Sequence, residues 1–132
     1  MATTDRRGIT VGDATAGAAN SPSAFLGWKH ACVCASTVNL TLSGLQTIDG
    51  VTVTSGQRVL VTNQSTASEN GIYNASSGVW SRASDMDGAW DVAYGTRVFV
   101  VGGSTQAESN WYVSSADPLT IGTSSLAFTQ IT

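Results

Sequence analysis

From Ala31 onward, apolar residues fall in short runs broken by clusters of Gly, Asn, Asp and Ser. Ala31-Cys32-Val33-Cys34-Ala35 is the first run. Asp49-Gly50, between Ile48 and Val51, is a tight-turn dipeptide, and Val51-Thr52-Val53-Thr54 alternates after it until Ser55-Gly56 turns the chain. Arg58-Val59-Leu60-Val61, Gly71-Ile72-Tyr73-Asn74-Ala75, Val79-Trp80-Ser81-Arg82, Thr96-Arg97-Val98-Phe99-Val100-Val101, Asn110-Trp111-Tyr112-Val113-Ser114 and Leu126-Ala127-Phe128-Thr129-Gln130-Ile131 follow. Runs of this length, bounded by turn formers, predict strands, and a chain made of them predicts an all-β barrel or sandwich.

The N-terminal stretch follows neither pattern. Residues 1–20 are rich in Ala, Gly, Thr and Asp and show no period of two or of 3.6. Ser21-Pro22-Ser23 is a turn signal, and Ala24-Phe25-Leu26-Gly27-Trp28 is apolar for at most one helical turn. The expected organisation is therefore an extended N-terminal docking arm over residues 1–30 and a β-barrel-like domain over 31–132, with the arm ordering on a neighbouring subunit.

Inside the domain the chain repeats itself. Gly56-Gln57-Arg58-Val59-Leu60-Val61 is matched 39 residues later by Gly95-Thr96-Arg97-Val98-Phe99-Val100. Continued without a gap, the match brings Ser65-Thr66 onto Ser104-Thr105, Glu69 onto Glu108 and Tyr73 onto Tyr112. A third strand follows each copy, so residues 56–83 and 95–131 read as two related three-stranded meanders. Neither buries an apolar face alone, so they are expected to pack together. Arg58 with Glu69, and Arg97 with Glu108, are candidate structural ion pairs across each hairpin.

Composition narrows the function. The 132 residues make one domain. Hydrophobic residues are 42% and charged residues only 11%, against roughly 25% charged in an average globular protein. So weakly charged a surface suits packing against copies or partners, because few charges need desolvating. The six Lys and Arg are scattered and the net charge is −3, which argues against nucleic acid as a partner. No run of about 18 apolar residues provides a membrane span. The N-terminus lacks the apolar core of a signal peptide, so synthesis and first folding in a cytoplasm are expected. Cys32 and Cys34 are expected to share one face of a strand as free thiols, since a bridge across one residue strains the backbone.

Candidate chemistry is sparse. His30-x-Cys32-x-Cys34 lacks the second ligand pair that zinc needs. Asp85-Met86-Asp87-Gly88-Ala89-Trp90-Asp91 has the opening of a calcium loop without its later bidentate Glu, and Asp-Gly is also good turn sequence. The single His finds no adjacent Ser partner for a nucleophilic triad. No catalytic, cofactor or metal residue is assigned, and no enzyme activity or cofactor is expected. Among the aromatics, Tyr73, Trp80, Trp111 and Tyr112 read as core. Phe25, Trp28 and Trp90, in the arm and the insert, are candidate interface anchors. A sugar-stacking platform is the alternative use of the exposed rings.

The stretch Asn39-Leu40-Thr41-Leu42-Ser43-Gly44-Leu45-Gln46-Thr47-Ile48-Asp49-Gly50-Val51-Thr52-Val53, with Gly56-Gln57-Arg58-Val59-Leu60-Val61, Glu69-Asn70-Gly71-Ile72-Tyr73 and Trp80-Ser81-Arg82-Ala83, resembles a β-module of tailed-bacteriophage tail fiber and related virion proteins. The resemblance runs more loosely through Thr132. Gln57 stands where the module usually has an acid and Thr62 where it usually has Lys. The resemblance implies a non-enzymatic structural role in the virion, other virion proteins as partners, and a homo-oligomer with a trimer favoured. No fibrous shaft follows the module in this sequence. The expectation is therefore a short fiber, fiber-base or decoration protein attached through its N-terminal arm; a carbohydrate-binding module contacting a host glycan is the alternative.

Overall fold

The computed structural model describes residues 27–88 and 90–132, together with the backbone of Thr15–Ala16 and Ala18–Ala19, which is extended. Most of the expected arm, Phe25 included, lies outside the described residues. From residue 27 on there are nine strands: β1 (Cys34–Ser36), β2 (Thr47–Ile48), β3 (Val51–Thr52), β4 (Arg58–Val61), β5 (Gly71–Asn74), β6 (Ser81–Arg82), β7 (Arg97–Val100), β8 (Ser109–Val113) and β9 (Phe128–Ile131). Two 3-10 turns, Ala67–Glu69 and Ser84–Met86, are the only helical elements among the described residues. The protein is all-β, a small sandwich rather than a closed barrel.

Its two halves are the repeat. β4, β5 and β6 form one antiparallel meander, and β7, β8 and β9 the other. The two differ by one residue in the first hairpin. Val61 faces Gly71 across residues 62–70, whereas Val100 faces Ser109 across the shorter loop 101–108. Val59 therefore sits opposite Tyr73, while its repeat equivalent Val98 sits opposite Trp111. Because successive side chains point to opposite faces, this slip turns β7 over: Val98 points between the sheets where Val59 points away, while Trp111 and Tyr112 keep the faces of Ile72 and Tyr73. The expectation that Tyr112 is core is corrected: the equivalent face that buries Tyr73 in the first sheet has no cover in the second, so Trp111 is buried and Tyr112 only half-buried.

A seam joins the halves. Residues 27–33 run parallel to β7, with Arg97 N donating to Gly27 O, Lys29 N to Arg97 O and Cys32 N to Phe99 O at 2.7–2.9 Å. At Val33 the chain crosses over: Val33 N donates to Arg58 O at 2.9 Å, and β1 continues parallel to β4 with Cys34 opposite Val59. The crossing sends the two thiols apart. Cys32 packs between the meanders and Cys34 on the far face of the first sheet, which overturns the expectation of a shared face. Both are free. Burial pushes the Cys32 thiol up to about 12 and the Cys34 thiol up to about 11, the Asp49 charge adding to the latter.

Alternation along β4 and β5 builds two cores. Leu60 and Ile72 face the second meander and meet Val98, Val100, Trp111, Val113 and Leu126. Val59, Val61 and Tyr73 face the other way, under Ile48, Val53 and Trp80. Each such aliphatic chain, fully buried, contributes about 1.5–3 kcal/mol relative to exposure. The first sheet is thus covered on both faces and the second on one.

The β2–β3 turn reaches beyond its own hairpin. Asp49 adopts φ 49° and Gly50 φ 82°, the left-handed pair that such a turn needs. Asp49 O accepts from Ser104 N at 2.7 Å, and its carboxylate accepts from Thr105 N, Thr105 Oγ1 and Gln106 N at 2.9–3.2 Å. A Cβ at Gly50 would overlap Ser104 Oγ, and one at Gly103 would overlap Asp49 Oδ2, so the two turns interlock through their glycines.

Candidate functional site

The residues that carry the resemblance are engaged inside the fold. Asn70, buried, accepts from Gln64 N and donates to Leu126 O, both at 2.8 Å. Tyr73 OH donates to Glu69 O at 2.5 Å, and Trp80 Nε1 to Gly44 O at 2.9 Å. Arg82 donates to Asn70 O and Ser68 O at 3.0 and 2.8 Å and lies 5.1 Å from the centre of the Tyr73 ring. These groups hold loops rather than line a cleft.

The charged residues are engaged likewise. Arg58 grips Asp85 with two nitrogens on two oxygens at 2.9 and 3.0 Å, and also donates to His30 O at 2.8 Å. The Asp85 carboxyl is raised by burial, but the hydrogen bonds and charge of Arg58, with His30 N and the Lys29 charge, outweigh this and hold it below the usual carboxylate range. Asp91 caps the following turn, accepting from Asp87 N and Gly88 N at 3.0 and 2.9 Å. The calcium-like stretch is therefore an Arg-clasped 3-10 turn followed by a carboxylate-capped one. Among the described residues, no three His, Cys, Asp or Glu side chains gather to hold a metal ion.

The pairing expected of Arg58 with Glu69 is corrected by the register. Arg58 lies opposite Asn74 at the open end of its hairpin, and Glu69 lies in the loop at the closed end, where Gln64 Nε2 reaches it at 3.3 Å. Arg97, opposite Tyr112, is separated from Glu108 in the same way, by about four residues of strand or roughly 13 Å. Glu108 itself sits at φ 57° in the turn.

Two surfaces remain. One is a recess of about 320 Å³ lined by Ala35, Ser36, Val38, Leu40, Gln46 and Ile48. Val38 is exposed at its rim, and nearby Leu45 and Val79 are also exposed, on loops tied by Gly44 N to Gly78 O at 2.9 Å. The other is the outer face of the second sheet. Val98, Val100, Trp111 and Val113 point inward, so Arg97, Phe99, Asn110 and Tyr112 point out. The register sets them in rows: Trp28, Arg97, Tyr112, Thr129 in one, and Phe99, Asn110, Ile131 in the next. Trp28 and Tyr94 are each 58% exposed. The Tyr94 ring meets Tyr112 edge-on, with centres 6.2 Å apart, and Tyr94 N donates to Asp117 Oδ1 at 2.9 Å.

Comparisons with family models, curated proteins and solved structures give no match. Of the expected anchors, Trp28 is exposed at the seam, Trp90 is 75% exposed in the loop after Asp85, and Phe25 lies outside the described residues. Sequence reasoning placed Trp28 among the candidate anchors. It missed that Arg97 and Tyr112 share its face. The alternation Arg97-Val98-Phe99-Val100 held the signal, but the hairpin one residue shorter concealed it.

Proposed function

We propose that this protein is a non-enzymatic structural subunit of a tailed-bacteriophage virion: a short fiber, fiber-base or decoration protein, attached through its N-terminal arm and assembled as a homo-oligomer, a trimer being favoured. The observation that carries this reading is the seam. The segment that follows the arm is woven into the first strand of each meander, so whatever the arm grips is coupled to both halves of the body. Three further observations support it. The surface is weakly charged, Val38, Leu45, Val79 and Trp90 are left exposed, and the residues behind the resemblance serve the fold.

Deleting residues 1–20 tests the reading. The truncated chain is expected to fold and to stop joining particles, measured as occupancy on purified virions beside the full chain. Occupancy equal to wild type would remove the arm from attachment. Imaging of labelled protein then separates a decoration protein, seen over the head, from a fiber or fiber base, seen at the tail or neck.

A further inference from the structure

We propose that the outer face of the second sheet is a carbohydrate-binding platform for a linear glycan containing an acidic sugar. Trp28 and Tyr112 stack on pyranose rings, Tyr94 closes one side, and Arg97 between them holds the sugar carboxylate.

The face exists because the sandwich covers the second sheet on one side only. Its outward residues are rings and hydrogen-bonding groups set alternately, not a continuous apolar patch. Trp28 and Tyr112 flank Arg97 in a single row, one strand to either side. Two strand spacings put the rings about 10 Å apart, a span suited to successive sugars rather than to one. Sugars present apolar C–H faces to aromatic planes and hydroxyls to the edges, and the row supplies both. In these two rows the one aliphatic side chain is Ile131, in the second.

Rigidity and charge fit the same ligand. The edge-on contact with Tyr112 and the Asp117 bond to its backbone hold Tyr94 before any ligand arrives, so little freedom remains to be lost on binding. Arg97 places a cation between the two rings on a chain whose net charge is −3. Among the described residues, no protein group bonds its guanidinium or the side-chain amide of Asn110. A planar, forked donor in that position matches a carboxylate, with the Asn110 amide left for hydroxyls.

The test uses the full chain on an array of uronate- and sialate-containing oligosaccharides and their carboxyl-reduced counterparts, followed by calorimetric titration of the retained member. Retention of an acidic glycan is expected, weakened about tenfold by Tyr112→Ala and by Trp28→Ala. Arg97→Gln is expected to abolish the preference for the acidic over the reduced form. These side chains point away from the core, and circular dichroism verifies that each variant folds. No retention on any member, retention unchanged by the ring variants, or self-association that buries these rings would each overturn the proposal. Particle occupancy of Tyr112→Ala is expected at wild-type level, so failure here is distinguishable from failure of the attachment reading.

Discussion

Asp49 links the two halves of the sandwich from outside the core, and its removal has a calculable cost. Its carboxylate receives three donors from residues 105–106, all from the opposite meander's hairpin loop. Hydrogen bonds to a charged group contribute about 1.5–3 kcal/mol each when buried, but these are exposed or half-exposed and rehydrate when broken. About 0.7 kcal/mol each is a fair discount, or roughly 2 kcal/mol for the set. Asp49→Asn keeps one acceptor oxygen and the tolerance of positive φ, so a loss of about 1 kcal/mol is expected. Asp49→Ala loses all three bonds and adds about 1 kcal/mol for an alanine held at φ 49°, giving about 3 kcal/mol. For a domain of this size, 1 kcal/mol corresponds to about 4 °C in Tm, so shifts of about 4 °C and 12 °C are expected. Urea unfolding followed by the fluorescence of buried Trp80 and Trp111 reports both values. If Asp49→Ala unfolds within 0.5 kcal/mol of wild type, the carboxylate does not bridge the hairpins in solution.

Acid is expected to weaken the fold through Asp49 and Asp85. Both carboxyls sit below their ordinary values when folded, because the bonds from Gln106, Thr105 and Arg58 outweigh the opposing effect of burial. Their contribution is full above the unfolded carboxylate value near 4 and is lost as pH falls through the folded values. Unfolding free energy measured against pH should therefore drop below about pH 4, more gently in Asp85→Asn and Asp49→Asn. The thiols should be silent: with Cys32 at about 12 and Cys34 at about 11, an aromatic disulfide reagent at pH 8 is expected to titrate neither until urea unfolds the chain. Prompt labelling of the native protein would contradict their burial.

How far the sequence could be read depended on distance along the chain. Strands were legible because each is a local apolar run closed by turn formers, and the repeat was legible because Arg58-Val59-Leu60-Val61 and Arg97-Val98-Phe99-Val100 keep one spacing. The Asp49-Gly50 turn was legible for the same reason. What failed were pairings across the chain. The shorter loop 101–108 shifts the second hairpin by one residue, and a period of two converts that shift into a change of face for β7, so Val98 points inward where Val59 points away and Arg97 comes to lie opposite Tyr112. Arg58 chose Asp85, 27 residues on, because its strand end lies beside the 3-10 turn and far from Glu69. Cys32 and Cys34 separated because the backbone changes sheets between them, and no local pattern marks that crossing. The outer face escaped notice for a related reason, since its row is assembled from four segments that only the register brings together.

The seam also has a mechanical consequence. A tug on the arm enters at Gly27 and runs along the axis of a strand laid parallel to β7 and then to β4. The backbone bonds from Gly27 to Ser36 are then loaded sideways and together, so they must slide as a set instead of opening one by one from an end. The β8–β9 ladder, pulled apart from its own termini, would open like a zipper. In a single-molecule pulling experiment, force applied through residue 1 against residue 75 is expected to unfold the protein at a higher value than force applied between residues 109 and 132, which lie side by side at one end of the ladder. A subunit tethered by its N-terminus in flowing or jostling surroundings would thus meet strain along its most resistant direction.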